Sequence, residues 1–249
     1  MNIIWEINDY DIRMVKDFIS KHQNPLVASR ISRNINHRSI KIDKNSVLKC
    51  MIMCLLTSQQ RSGPKSPIKL FLNKKPFPLT DESISTQDDA ETFVRDILQK
   101  NGLTRYINRI PNFFILNYNK LQATSWTLLE ELKHLHSNQT TVEVERALAD
   151  NLDDIFKGFG PKQARNFLQA LGLTKFEIPI DSRITSWLND FGFPVSLSSE
   201  ALQDKGYYHF VSDGIQSLCH HAGIFPCVLD AAIFSSFDNG GWTVENTVY

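Results

Sequence analysis

Lys162 stands second in a helix that its neighbours define. Pro161 suits a first helical position, where a missing N–H costs nothing, and Gly172 suits the residue past the end, where positive φ is wanted. Between them Ala164, Phe167, Leu168 and Leu171 form an apolar stripe at helical spacing. An ammonium is unfavourable at the N-terminal end of a helix, so a lysine there invites a chemical explanation: a lysine nucleophile acts as the neutral amine. Asp181 follows 19 residues later and opens another helix. Its carboxylate can cap that helix and can also stabilise positive charge developing at a reacting centre. Gly158-Phe159-Gly160 precedes the lysine, and such a glycine turn lets backbone N–H groups approach an anion closely. An exposed first-turn lysine and a plain helix cap are the readings without chemistry.

This order of short helix, Gly158-Phe159-Gly160 turn, Pro161-Lys162 and then Ile180-Asp181-Ser182-Arg183 resembles the helix-hairpin-helix DNA glycosylases. The lysine-to-aspartate spacing is similar to that of the 8-oxoguanine branch. Leu56-Thr57-Ser58-Gln59-Gln60 resembles the segment that fills the gap left by a flipped base, and residues 228 to 235 resemble the helix lining the base pocket. The resemblance covers roughly residues 46 to 240.

The resemblance implies an all-α fold with two helical subdomains, a helix-hairpin-helix motif at about 152–172 and an active-site cleft between the subdomains. The implied units are a short helical segment over 1–45 that packs on the C-terminal subdomain, a subdomain over 46–172, and a C-terminal one over 173–249. Lys162 would attack the sugar C1′ of an extruded damaged nucleotide with Asp181 assisting, and β-elimination would then cut the strand. The implied activity is that of a bifunctional glycosylase and lyase for an oxidised purine, 8-oxoguanine.

Gly158, Gly160 and Arg183 are then expected at phosphates, Gln163 among the DNA-binding residues, and Gln59 and Gln60 at the orphaned partner base. Phe234 would stack on the extruded base, with Asp230 one turn earlier facing the same pocket. Asp230 departs from the glutamine of that branch, which leaves open a glycosylase for a different damaged base. A hairpin module that binds DNA without chemistry is the alternative from another class. The resemblance further implies a monovalent cation at the hairpin carbonyls, with Phe159 the nearest match, and no required cofactor. The four-cysteine motif of the endonuclease III branch is absent, so no iron–sulfur cluster is expected.

The 249 residues carry a formal net charge of zero, so nothing global announces a nucleic-acid partner. The distribution says more: 12 Lys and Arg lie between Lys21 and Lys75 against the single acid Asp43. Such asymmetry fits one basic face of the kind duplex DNA needs, or a solvated face with no ligand. Glu6, Asp9 and Asp11 break the N-terminal apolar residues, so neither a secretory signal nor a membrane span is expected. Cys50 and Cys54 read as buried core thiols. Cys219-His220-His221 with Cys227 matches no zinc spacing, so no metal site is expected. A monomeric, reduced, intracellular protein follows, in a prokaryotic cytoplasm or a eukaryotic nucleus.

The elements that must position these residues read as helices throughout. Residues 9–22 are amphipathic, and Asn24-Pro25 ends that helix. Residues 29–44 have weak periodicity and read as loop. Asp43 caps an apolar helix to about residue 60, and residues 73–87 read as loop. Helices follow over 88–100, over 103–119 with an interruption at Pro111, from Ser125 or Thr127 to 136, and from a Thr140-x-x-Glu143 capping box to about 152. Beyond the hairpin, residues 175–180 are extended, Asp181 opens a helix, and further helices span about 199–222 and 226–236. Strand signals are nearly absent.

Overall fold

The structure is a computed structural model that describes residues 4–38, 41–58, 63, 65–137, 140–238, 241–244 and 247. Its α-helices are α1 (Asp9–Lys21), α2 (Pro25–Arg30), α3 (Lys44–Leu56), α4 (Pro67–Leu72), α5 (Asp81–Ser85), α6 (Ala90–Lys100) and α7 (Ile110–Ala123), followed by α8 (Thr127–Ser137), α9 (Val142–Ile155), α10 (Pro161–Ala170), α11 (Ser182–Phe191), α12 (Lys205–Ala222) and α13 (Pro226–Ser236). No strand occurs among the described residues. The fold is all-α, as the sequence indicates.

Two hydrophobic clusters organise these helices. The first gathers buried residues from Val47 to Leu173 around α3, which buries nine of its own side chains. The second joins Val15, Ile19, Leu26 and Val27 of the N-terminal helices to residues 178–242. The chain passes from one to the other through residues 173–181. A charged network pins that passage. Glu145, in the first turn of α9, accepts the N–H groups of Lys175, Phe176 and Glu177 at 2.9–3.0 Å. Glu177 in turn takes the fully buried Arg165 of α10 at 2.5 Å and Arg146 of α9 at 2.9 Å.

Several elements differ from the sequence reading, each for a local reason. Asn24 does not only end α1; it caps α2, with Pro25 at its first position. The stretch read as loop over 29–44 continues helically through a π turn at Ile31–Ile35. Its polar side chains are turned inward: Arg33 donates to the Ala170 carbonyl at 2.5 Å, and buried Asn34 donates to those of Gln169 and Thr174. They bond to carbonyls at and just beyond the end of α10, so no apolar period betrays the turn.

Within 73–87, Thr80 and Ser83 form a capping box for the short α5, which buries only Ile84. Pro111 does not interrupt a helix but sits at the start of α7, where proline is tolerated. Thr141, not Thr140, caps α9 by accepting from the Val144 N–H.

Candidate active site

The hairpin places the lysine. Phe156 ends α9, and Gly158 turns the chain at φ +82°, a left-handed conformation suited to glycine. A methyl group there would lie 2.4 Å from the ring of Phe113 and 2.9 Å from Leu55. Gly160 is different. It is extended at φ −146° and caps α10 without a side chain, so the first turn of that helix stays uncovered. Lys162 is half-buried in that turn, and its amine has no hydrogen bond or ion pair among the described residues.

Asp181 caps α11, accepting from the N–H of Arg183 at 2.9 Å and of Ile184 at 3.1 Å. Both bonds fall on Oδ1, so Oδ2 has no hydrogen bond among the described residues. Lys162 and Asp181 line one cleft of about 1160 Å³ between the two cores.

Behind the pair, Arg165 holds both segments in register. It donates to the Pro161 carbonyl at 3.2 Å and pairs with Glu177, four residues before Asp181. The Tyr208 hydroxyl accepts from the Ile180 N–H at 2.7 Å and donates to the Ile178 carbonyl at 2.8 Å. The segment entering Asp181 is therefore fixed from two sides.

The base-pocket residues expected from sequence also line this cleft, with partners of their own. Asp230 is buried, and its Oδ2 accepts from Arg30 at 2.9 Å and from Gln169 at 2.8 Å. Burial raises its pKa most, with the charge of Asp181 adding, while Arg30 opposes. Phe234 is half-buried against Trp242 at 5.8 Å. Arg183, expected at a phosphate, packs on the same residue, its guanidinium 3.8 Å from the centre of the Phe234 ring. One face of that ring is thus covered. Gln163 is buried too, with its side-chain oxygen 3.4 Å from the Asn166 amide. Gln59 and Gln60 lie outside the described residues.

Sequence reasoning missed Arg30, Lys69, Asn166, Gln169 and Trp242, all on the cleft wall. Asn166 and Gln169 follow Lys162 at i+4 and i+7, one face of α10, and that spacing was a usable signal. Arg30, Lys69 and Trp242 come from other parts of the chain and give none. Burial, with Lys49 and Arg33 nearby, lowers the Lys69 ammonium to about 8.

The hairpin carbonyls expected to hold a monovalent cation differ in how far they are already engaged. The carbonyls of Ile155, Phe156, Lys157 and Gly160 already accept from Lys120, Phe159, Asn117 and α10 respectively. Only those of Gly158 and Phe159 lack a donor among the described residues. The four cysteines are buried, two in each core. No cluster of three or more His, Cys, Asp or Glu suited to a metal occurs among the described residues.

The arrangement of helices is similar to that of two solved 8-oxoguanine DNA glycosylases. The enzyme of Thermotoga maritima shares it with a TM-score of 0.62 and 16% identity, over 90% of this chain and 94% of that one. The Methanocaldococcus jannaschii enzyme shares it with a TM-score of 0.63 and 15% identity, over 93% and 96%. The sequence matches no protein-family model and no curated protein.

Proposed function

We propose that this protein is a DNA glycosylase with lyase activity that removes an oxidised purine, 8-oxoguanine, from duplex DNA. What supports this best is Lys162, its amine unengaged, on the wall of the cleft that also holds the unengaged Oδ2 of Asp181. The likeness in fold to two 8-oxoguanine glycosylases supports it independently. The Lys162 Nζ lone pair attacks C1′ of the extruded nucleotide. The C1′–N bond breaks, and its electron pair leaves with the base, which takes up a proton. Asp181 stabilises the positive charge developing on the sugar and receives the proton that the attacking amine sheds. Ring opening leaves an imine, and loss of a C2′ proton then expels the 3′ phosphate and cuts the strand. Asp230, in place of glutamine, favours a second reading in which the same chemistry acts on another damaged base.

Borohydride reduces an imine to a stable amine, so wild-type protein is expected to become covalently trapped on 8-oxoguanine duplex. Lys162→Gln keeps a polar side chain but cannot form the imine, and trapping and strand cutting should vanish while binding persists. Tight binding by wild type with no trapping on any of a panel of single-lesion duplexes would favour the non-catalytic module.

A further inference from the structure

Burying a polar group without a partner costs about 1–3 kcal/mol, so such atoms gathered at one place point to a ligand. Seven buried side-chain nitrogens and oxygens lack a partner among the described residues. Three of them sit on residues of this one cleft: Gln169 Oε1, Asp238 Oδ2 and Trp242 Nε1. Asp238 has a cation within reach, because Arg183 lies 3.8 Å from its other oxygen. Lys69 lies over the Trp242 ring at 5.7 Å but cannot accept from the indole N–H, and Gln169 Oε1 has no donor among the described residues.

The orientation of the Gln169 amide is set by chemistry. Its nitrogen must face Asp230 Oδ2, at 2.8 Å, because that carboxylate is paired with Arg30 and can only accept. Its oxygen is therefore the free end, on a side chain that is 4% exposed. Trp242 is 6% exposed. Its indole nitrogen can only donate.

The two groups mark the ends of one face of α13. Gln169 is bonded to Asp230, and Trp242 packs on Phe234, one turn further along. The cleft wall at this helix face thus carries an acceptor and a donor without partners among the described residues, with the Phe234 ring beside them.

We infer that Gln169 and Trp242 read the extruded base, the Gln169 oxygen accepting an N–H of the base and the Trp242 indole N–H donating to a carbonyl oxygen. The substrate is then a base carrying both groups, and a purine without a carbonyl is rejected. Asp230 acts in this scheme as a positioning residue that orients Gln169, and not as the reader itself. The inference rests on the glycosylase reading.

The test measures binding in the Lys162→Gln background, where nothing is cut. The probes are duplexes carrying 8-oxoguanine, a tetrahydrofuran abasic analogue, ethenoadenine (a purine with no carbonyl) or no lesion. Trp242→Phe keeps an aromatic ring and removes the N–H; Gln169→Met keeps similar length and removes the acceptor. Each is expected to weaken 8-oxoguanine duplex about 3- to 10-fold, the worth of one hydrogen bond, and to leave the abasic duplex unchanged. Equal losses on both duplexes would assign the two side chains to wall packing and overturn the inference. So would tighter binding of ethenoadenine than of 8-oxoguanine. If no damaged duplex is preferred over the intact one, the glycosylase reading fails first and takes this inference with it.

Discussion

Lys162 reaches the cleft from the first turn of α10 and Asp181 from the N-cap of α11, so both of the proposed reacting groups stand at helix starts. In the proposed reaction Asp181 would divide its two oxygens between tasks, Oδ1 capping α11 and Oδ2 facing the chemistry. Asparagine caps a helix about as well as aspartate but carries no charge. Asp181→Asn is therefore expected to melt with the wild type and to slow base release about 100- to 1000-fold, the usual loss when one pre-organised electrostatic group is removed. Single-turnover base release on 8-oxoguanine duplex measures this, and an unchanged rate would take Asp181 out of the reaction. The helix starts that carry both residues were legible in the sequence because their cues are local: a proline before the lysine and a capping side chain at the aspartate. Arg30 and Trp242 were not, because they approach from distant parts of the chain. The contact of Arg183 with the Phe234 ring was not legible either, because it joins two segments some fifty residues apart.

The hairpin and the helix before it carry predictions of their own. Gly158 and Gly160 look alike in sequence but are held to glycine by different demands. At Gly158 a methyl group meets both a positive φ and the side chains of Phe113 and Leu55. Gly158→Ala is expected to cost about 2–4 kcal/mol, combining left-handed backbone strain with overpacking. At Gly160 the backbone is extended, and the nearest neighbour of an added methyl is Gln203 Oε1 at 3.5 Å. Gly160→Ala should keep nearly full stability in urea unfolding and lose DNA affinity; the reverse pattern would mean the roles are exchanged.

Glu145, at the start of α9, gives a second test at this scale. Burial pushes its carboxyl up to about 7, against the three N–H groups it accepts. The folded state therefore holds this proton more tightly than the unfolded chain does. Its stabilising contribution is complete below about 4.5, the ordinary value, and is lost as pH rises through about 7. The stability of wild type relative to Glu145→Gln should fall between pH 5 and pH 8, with a slope approaching 1.4 kcal/mol per pH unit at about one proton. A difference that grows with pH would mean the three N–H groups outweigh burial. Helices with an apolar period were legible in the sequence. The π turn and α5 were not, since the first turns polar groups inward and the second buries one residue.

At the scale of the whole molecule the proposed function requires that a chain of zero net charge hold DNA. The basic run from Lys21 to Lys75 suggested a single positive face, but the structure draws part of it inside. Arg30 is paired with Asp230, Arg33 with the Ala170 carbonyl, Lys69 is buried in the cleft wall, and Lys49 is half-buried over the Phe77 ring. Lys44 is paired with Asp81. Lys21, Arg38, Lys41, Lys65, Lys74 and Lys75 remain exposed, and Lys41 already contacts Asp43. Each phosphate neutralised on B-DNA contributes about −0.9 to the slope of log affinity against log salt. Some three to five contacts from the exposed set give an expected slope of about −3 to −4.5. Fluorescence anisotropy on a labelled duplex across a potassium chloride series measures it. A slope near −10 would require nearly all twelve basic residues at phosphates, which the buried ion pair of Arg30 and the burial of Lys69 forbid unless the N-terminal segment rearranges on DNA. A slope near zero would leave no phosphate contact at all, and with it no route by which a nucleotide could be delivered to Lys162.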